Sequence, residues 1–197
     1  MNTLLRIDVS PRITDSHSRD LANKVESKWK LAHTSMKTVL CDLANINIPH
    51  VNQEYIEATF VPKSDRTAQM NSVLSLADKF IADIRSADTV LISVPMYNFT
   101  VPSVFKAYID YISRVGDTVL IDESGITGML TGKKLVIAAA YGADFSQMKS
   151  MDFLEPYIKN MFGMLGFTDI NYIAIENTSM LSKEALEEKK QTLADSI

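Results

Sequence analysis

The sequence predicts an α/β fold, a three-layer sandwich in which a five-stranded parallel sheet of order 2-1-3-4-5 carries helices on both faces. Three observations lead there. Apolar segments of strand length alternate five times with segments of helical period. The fourth of those strands, residues 135–140, contains no charged residue, as a strand buried on both faces should not. No repeat, low-complexity tract or Pro/Gly-rich linker divides the 197 residues, so one domain is expected over 1–197.

The elements follow in order. Residues 4–9 read as the first strand, after which Leu21, Val25, Trp29 and Ala32 recur at helical spacing. Residues 38–43 form the second strand. Residues 66–84 place Met70, Val73, Leu74, Ala77, Phe80, Ile81 and Ile84 on one helical face. The third strand, 89–94, is stopped by Pro95, which cannot donate to a central ladder. A helix starts at Pro102, since proline is tolerated in a first turn. Residues 117–131 look like an excursion, with turn glycines Gly125 and Gly128. The fourth strand is 135–140, the next helix 154–165 and the fifth strand 169–175; a last helix over 182–196 is capped by Ser182.

Composition removes several function classes. Lys+Arg 20 against Asp+Glu 24 gives a net charge of −4, so no basic field exists to hold nucleic acid or anionic lipid. With 46% hydrophobic and 22% charged residues the chain has a core and not a disordered tail. The longest strongly apolar run, 135–140, is far short of the ~20 residues that span a bilayer, and the start of the chain lacks the apolar run of a signal peptide. A single cysteine, Cys41, forbids an internal disulfide framework and a multi-thiolate zinc site. No metal site is expected, and the cytoplasm is the expected compartment.

In the predicted sheet the ligand crevice lies where the strand order reverses, beside the ends of strands one and three. After strand one come Ser10, Pro11, Arg12, Ile13, Thr14, Asp15, Ser16, His17, Ser18 and Arg19, running into the first helix. Free N–H groups and the positive dipole end make a helix N-terminus an anion site, and serine hydroxyls add neutral donors suited to a phosphate monoester. The plainer alternative is that Ser16 or Ser18 only caps the helix. Neither G-x-G-x-x-G nor G-x-x-x-x-G-K-[ST] occurs in this loop. After strand three come Pro95, Met96, Tyr97, Asn98 and Phe99. Two aromatics and an amide suit a flat heteroaromatic ring that alternates carbonyls and nitrogens; alternatively the aromatics cover the sheet end.

These residues also carry a resemblance. Ser10 with Ser16-His17-Ser18, Asp42-Leu43-Ala44 leading to Ile48-Pro49, and above all Pro95-Met96-Tyr97-Asn98-Phe99 resemble the FMN-dependent NADH-azoreductases, a flavodoxin-like family that also reduces quinones. Gly116, Gly132-Lys133-Lys134 and the stretch from Gly163 to Gly166 extend the match over nearly the whole chain. The resemblance implies that Ser10, Ser16, Ser18 and the His17 backbone hold the FMN phosphate. It implies that Pro95, Met96, Tyr97, Asn98 and Phe99, with Ala140, Tyr141 and Gly142 after strand four, line the isoalloxazine.

It further implies ping-pong hydride transfer from NADH or NADPH through the flavin, and a homodimer with the flavin at the subunit interface. One cycle reduces a quinone; cleavage of an azo bond to two amines needs two. No catalytic side chain is demanded. Two departures stand out. Ala140-Tyr141-Gly142-Ala143 replaces the Ser-Arg-Gly-Gly of many relatives, and Val119-Leu120-Ile121 stands where aromatics are common. The methionine-rich stretch of Met148, Met151, Phe153, Met161, Phe162 and Met164 reads as either a soft core helix or an adaptable interface. Residues 45–65, bracketed by Pro49 and Pro62, read as either a flap over the site or a plain surface loop.

The rival readings are weaker. A phosphoacceptor receiver needs an aspartate at the end of strand three, where this chain has Pro95-Met96. A Cys-x5-Arg phosphatase loop fails because Asn47 stands six positions after Cys41, and His17, His33 and His50 show no zinc-ligand spacing. The remaining alternative is a flavodoxin-like FMN electron carrier that does not react with nicotinamide.

Overall fold

The computed structural model describes residues 2–197. Five parallel strands form the central sheet: β1 (Thr3–Asp8), β2 (Lys37–Asp42), β3 (Thr89–Pro95), β6 (Lys134–Ala140) and β7 (Asp169–Ile175), in spatial order β2-β1-β3-β6-β7. This is the predicted order, with β6 and β7 as the fourth and fifth strands of the sequence reading. The helices are α1 (His17–Ala32), α2 (Gln53–Thr59), α3 (Ala68–Ser86), α4 (Ser103–Ile112), α5 (Leu154–Leu165) and α6 (Lys183–Asp195).

Side chains alternate across the strands. Leu4, Leu91, Val136 and Ala138 pack with Leu21, Val25 and Leu186 under α1 and α6. Leu5, Ile7, Ile92 and Ile137 meet Leu74, Phe80, Phe105, Ile109 and Phe162 under α3, α4 and α5. Burying strands on both faces favours uncharged residues, which β3 and residues 135–140 of β6 supply; β1 instead carries Arg6 and Asp8, buried and paired with each other. Ser182 caps α6, its hydroxyl accepting from the Ala185 amide at 3.2 Å.

Two regions hold elements that the sequence pattern leaves unresolved. The excursion over 117–131 is an antiparallel hairpin of β4 (Val119–Asp122) and β5 (Gly125–Gly128). Gly128 lies so close to the end of α5 that a Cβ there would sit 2.1 Å from the Gly166 nitrogen, and Gly166 itself has φ +111. Only glycine fits either position. Residues 45–65 hold α2, whose start is fixed by the Asn52 side chain accepting from the Tyr55 amide at 2.9 Å. Of the methionine stretch, Met148, Met161 and Met164 pack against the core, whereas Met151 and Phe153 are exposed.

Candidate active site at the sheet edge

The loops after β1, β3 and β6 share the carboxyl edge of the sheet because their strands are neighbours. The Val9 amide donates to the Ser93 carbonyl at 2.9 Å, and the Met96 amide to the Ala140 carbonyl at 2.9 Å. The Ser10, Pro95–Phe99 and 140–142 segments are thereby brought together.

At the β1 end, Ser10 is 1% exposed and its hydroxyl accepts from the Arg12 amide at 3.2 Å. Residues 11–15 are exposed, and Asp15 takes a left-handed turn (φ 53) into α1. Ser16 is the N-cap, accepting from the Arg19 amide at 3.5 Å, and its hydroxyl lies 3.4 Å from that of Ser18. Both serines are buried. The first backbone bond of α1 runs from the Asp20 amide to the Ser16 carbonyl, so the His17 and Ser18 amides precede the helical ladder. Ser16 therefore caps the helix, while Ser18 finds only Ser16 as a side-chain partner among the described residues. Burial, and then Lys190, hold the His17 imidazole below its ordinary range against a smaller pull upward from Asp20.

Beneath this loop lies an ionic network absent from the sequence reading. Arg19 Nη2 donates to the Ser10 carbonyl at 2.7 Å and to Asp42 at 2.6 Å, and Nη1 to Asp8 at 3.2 Å and Asp42 at 3.0 Å. Arg6 joins Asp8 at 3.0 Å and Glu26 at 2.8 Å, and Ser93 donates to Asp8 at 2.6 Å. Burial would raise the Asp42 carboxyl; hydrogen bonds from Arg19, the Ala44 amide and Asn45 outweigh it and hold Asp42 below the usual carboxylate range. The nearest sequence signal was the Asp42-Leu43-Ala44 motif together with an arginine in the serine loop.

At the β3 end, Tyr97 and Thr100 exchange both backbone hydrogen bonds, at 3.0 and 3.1 Å, around Asn98 (φ 49) and Phe99 (φ 70). Two successive left-handed residues between paired neighbours make a type I′ turn. Asparagine tolerates that conformation, whereas phenylalanine is strained in it. The Asn98 and Phe99 amides take no part in the turn's own bonds. Tyr97 is 38% and Phe99 41% exposed, so the aromatics do not fill the core beneath the sheet end. The Phe99 carbonyl accepts from the Phe153 amide at 3.0 Å, and its ring meets Phe145 edge-on with centroids 6.3 Å apart.

Tyr141 differs from the role expected for it. Its side chain is 1% exposed and its hydroxyl is bonded to Asp152 at 2.9 Å and to Tyr172. Its amide donates to Ile175, and its carbonyl accepts from Thr178. With every polar group engaged inside the fold, Tyr141 supports the loop from below and presents nothing to the crevice. Gly142 stays at the surface, where a Cβ would stand 3.1 Å from Ser179 Oγ.

Cys41 is buried, and burial pushes its thiol up to about 12, which makes it inert as a nucleophile. Among the described residues no group of three or more His, Cys, Asp or Glu could hold a metal ion, and no helix is long and apolar enough to cross a membrane.

A doubly wound sheet with an anion-compatible helix start and an aromatic turn on adjacent strand ends defines the class: the chain belongs to the Flavodoxin-like fold family, which it matches over residues 2–197. Within that class it belongs with the FMN-dependent NADH:quinone oxidoreductases. A protein so named from Nostoc punctiforme is 39% identical over 202 residues, covering 100% of this chain and 98% of the relative. Another from Hydrogenovibrio crunogenus is 36% identical over 200 residues, covering 98% of each. The azoreductase from Bacillus anthracis str. Sterne has a similar structure, with TM-score 0.89 at 26% identity over 100% of this chain and 98% of that one.

Proposed function

We propose that this chain is an FMN-dependent NADH:quinone oxidoreductase that also reduces azo compounds, acting as one flavin-binding domain over residues 1–197. The observation that carries the reading is the pairing of two chemically opposite loops on one sheet edge. Buried hydroxyls stand at the start of α1, and exposed aromatics stand on the neighbouring strand end, which is the polarity of a phosphorylated flat ring. The fit is supported residue by residue. Ser16 and Ser18 are buried hydroxyls with donor capacity to spare beside helix-start amides, which suits a phosphate. The free amides of the Asn98–Phe99 turn and the open faces of Tyr97 and Phe99 suit a ring with alternating acceptors.

Ser10, Ser16, Ser18 and the His17 backbone would hold the phosphate. Pro95, Met96, Tyr97, Asn98 and Phe99, with Ala140 and Gly142, would line the isoalloxazine. When bound, FMN supplies the redox chemistry, taking two electrons from reduced nicotinamide and delivering them to a quinone or azo acceptor in turn. The chain's part is positioning and electrostatics. The type I′ turn holds two N–H groups in place, and with FMN bound they would answer negative charge developing on the ring, pre-set donors needing no reorganisation. The half-exposed aromatics leave room for donor and acceptor to take one place in succession. His17, held below its ordinary range, adds little charge near pH 7.

The same reading makes the working unit a homodimer. Val51, Ile56, Phe60, Val115, Leu120 and Ile121 are exposed, and all but Leu120 line a cavity of about 830 Å³. An apolar patch of this kind suits contact with a second copy of the chain. Ile121→Asp is expected to give monomers by sedimentation; a wild-type chain already monomeric contradicts the dimer. The cytoplasm is the compartment that suits a nicotinamide-dependent enzyme whose single cysteine is a free, buried thiol.

The test of the whole reading is spectroscopic. The purified protein is expected to bind FMN, and anaerobic stopped-flow mixing with NADH is expected to bleach it before any acceptor is added. Bound FMN that NADH fails to bleach would instead make the protein an electron carrier.

A further inference from the structure

We propose that Arg19 is the positioning residue of the phosphate seat: it shapes the serine loop through the Ser10 carbonyl and does not itself neutralise the phosphate. The proposal rests on the flavin reading above and goes beyond it.

The segment from Pro11 to Asp15 is exposed and has few bonds of its own, so something outside it must fix where Ser10 and Ser16 stand. The shortest tie is Arg19 Nη2 to the Ser10 carbonyl at 2.7 Å. Arg19 is in turn held by Asp42 through both terminal nitrogens, at 2.6 and 3.0 Å, and by Asp8 at 3.2 Å. Its own carbonyl accepts from Arg6 Nη2 at 3.4 Å. β1, β2 and α1 therefore converge on one backbone oxygen, and Ser93 of β3 joins through Asp8.

The electrostatics separate positioning from charge pairing. Asp8, Asp42 and Glu26 are answered by Arg6, Arg19 and Lys30, the last bonded to Glu26 at 2.6 Å. Both terminal nitrogens of Arg19 are spent inward, and its buried Nε alone has no partner among the described residues. A guanidinium whose forks are filled by carboxylates and a carbonyl has no edge left for a phosphate, which falls to the neutral hydroxyls and amides. The planar fork also explains why arginine stands here. It satisfies a bidentate carboxylate and a carbonyl together, and a lysine ammonium cannot reproduce that geometry.

Riboflavin carries the ring without the phosphate and so separates the two ends of the site. Apo protein is titrated with FMN and with riboflavin, following quenching of flavin fluorescence, for wild type, Arg19→Gln and Arg19→Lys. The expected result is that both variants lose FMN affinity by about 10-fold or more, the usual scale for a lost charge-assisted partner. Riboflavin affinity is expected to stay within about 3-fold, because the ring end makes no use of Arg19. Rescue by lysine would overturn positioning in favour of charge. Equal weakening of both ligands would reduce Arg19 to a fold residue, and no change in either would remove the role altogether. Asp42→Asn retains Arg19 but loosens its hold, and is expected to show the same selective loss in smaller measure; it serves if the Arg19 variants do not fold. A wild-type protein with no preference for FMN over riboflavin is a different failure, since it would strike the phosphate seat itself.

Discussion

The two ends of the crevice are built by opposite means. At the β1 end, buried hydroxyls stand on a closed ionic network in which Arg19, Arg6, Asp8, Asp42 and Glu26 bond to one another. At the β3 end, an exposed aromatic turn is held in a strained left-handed conformation by its own two backbone bonds and by the Phe153 amide. The first end is pre-organised by polar satisfaction and the second by backbone geometry. On the proposed flavin reading the contrast has a purpose: an anion seat would need fixed donors at low reorganisation cost, whereas a surface receiving two different flat reactants would need to stay open. The difference in exposure follows: Ser10, Ser16 and Ser18 are buried, and Tyr97, Asn98 and Phe99 are not.

Three changes sharpen that contrast. Replacing Ser16 and Ser18 together by alanine has the largest expected effect, weakening FMN by about 1–3 kcal/mol with riboflavin little altered, as read by flavin fluorescence. Unchanged FMN affinity in that variant would leave the β1 end as a mere helix start. At the β3 end, Phe99→Ala and Phe99→Gly both remove the ring, but only alanine keeps the left-handed penalty. Thermal unfolding is expected to place the glycine variant about 1 kcal/mol above the alanine variant, and equal stabilities would mean the turn stores no strain.

The smallest effect is on the acid limb of stability. Asp42 and Glu26 are both held below their ordinary values of 3.8 and 4.5. For Glu26, burial works upward but hydrogen bonds from Lys30, Arg6 and Thr38 outweigh it. Groups depressed in the folded state stabilise it fully above their unfolded values and lose that contribution as pH falls through the folded ones. The melting temperature is therefore expected to fall below about pH 4.5 and to fall less steeply in Asp42→Asn. An identical acid limb in that variant would show the network to be energetically silent.

Much of this was legible in the amino-acid sequence where local pattern decides the outcome. Pro95 marks the end of β3 because proline cannot extend a central ladder, and the uncharged stretch of β6 announces burial on both faces. Short elements escaped. α2 has only seven residues, QEYIEAT, too few for a helical period to emerge. β4 and β5 have four residues each, too few for an alternating pattern to stand out, and the hairpin's seat against α5 rests on Gly128 lying close to Gly166, 38 positions away. The hydroxyls of the site were visible, but their foundation was not, because Ser93 lies 85 positions from Asp8 and Arg19 lies 23 from Asp42. The inward course of Tyr141 likewise depends on Tyr172, 31 positions away. A loop pattern shows which groups are present; which way they face is set by partners elsewhere in the fold.

The most direct test of the central claim is a crystal structure of the FMN complex. The phosphate is expected within hydrogen-bond distance of Ser16 Oγ and Ser18 Oγ, and the ring against the Met96–Phe99 backbone. A flavin seated elsewhere, such as in the cavity between Tyr55 and Ile121, or reversed with its phosphate at the aromatic turn, would contradict it.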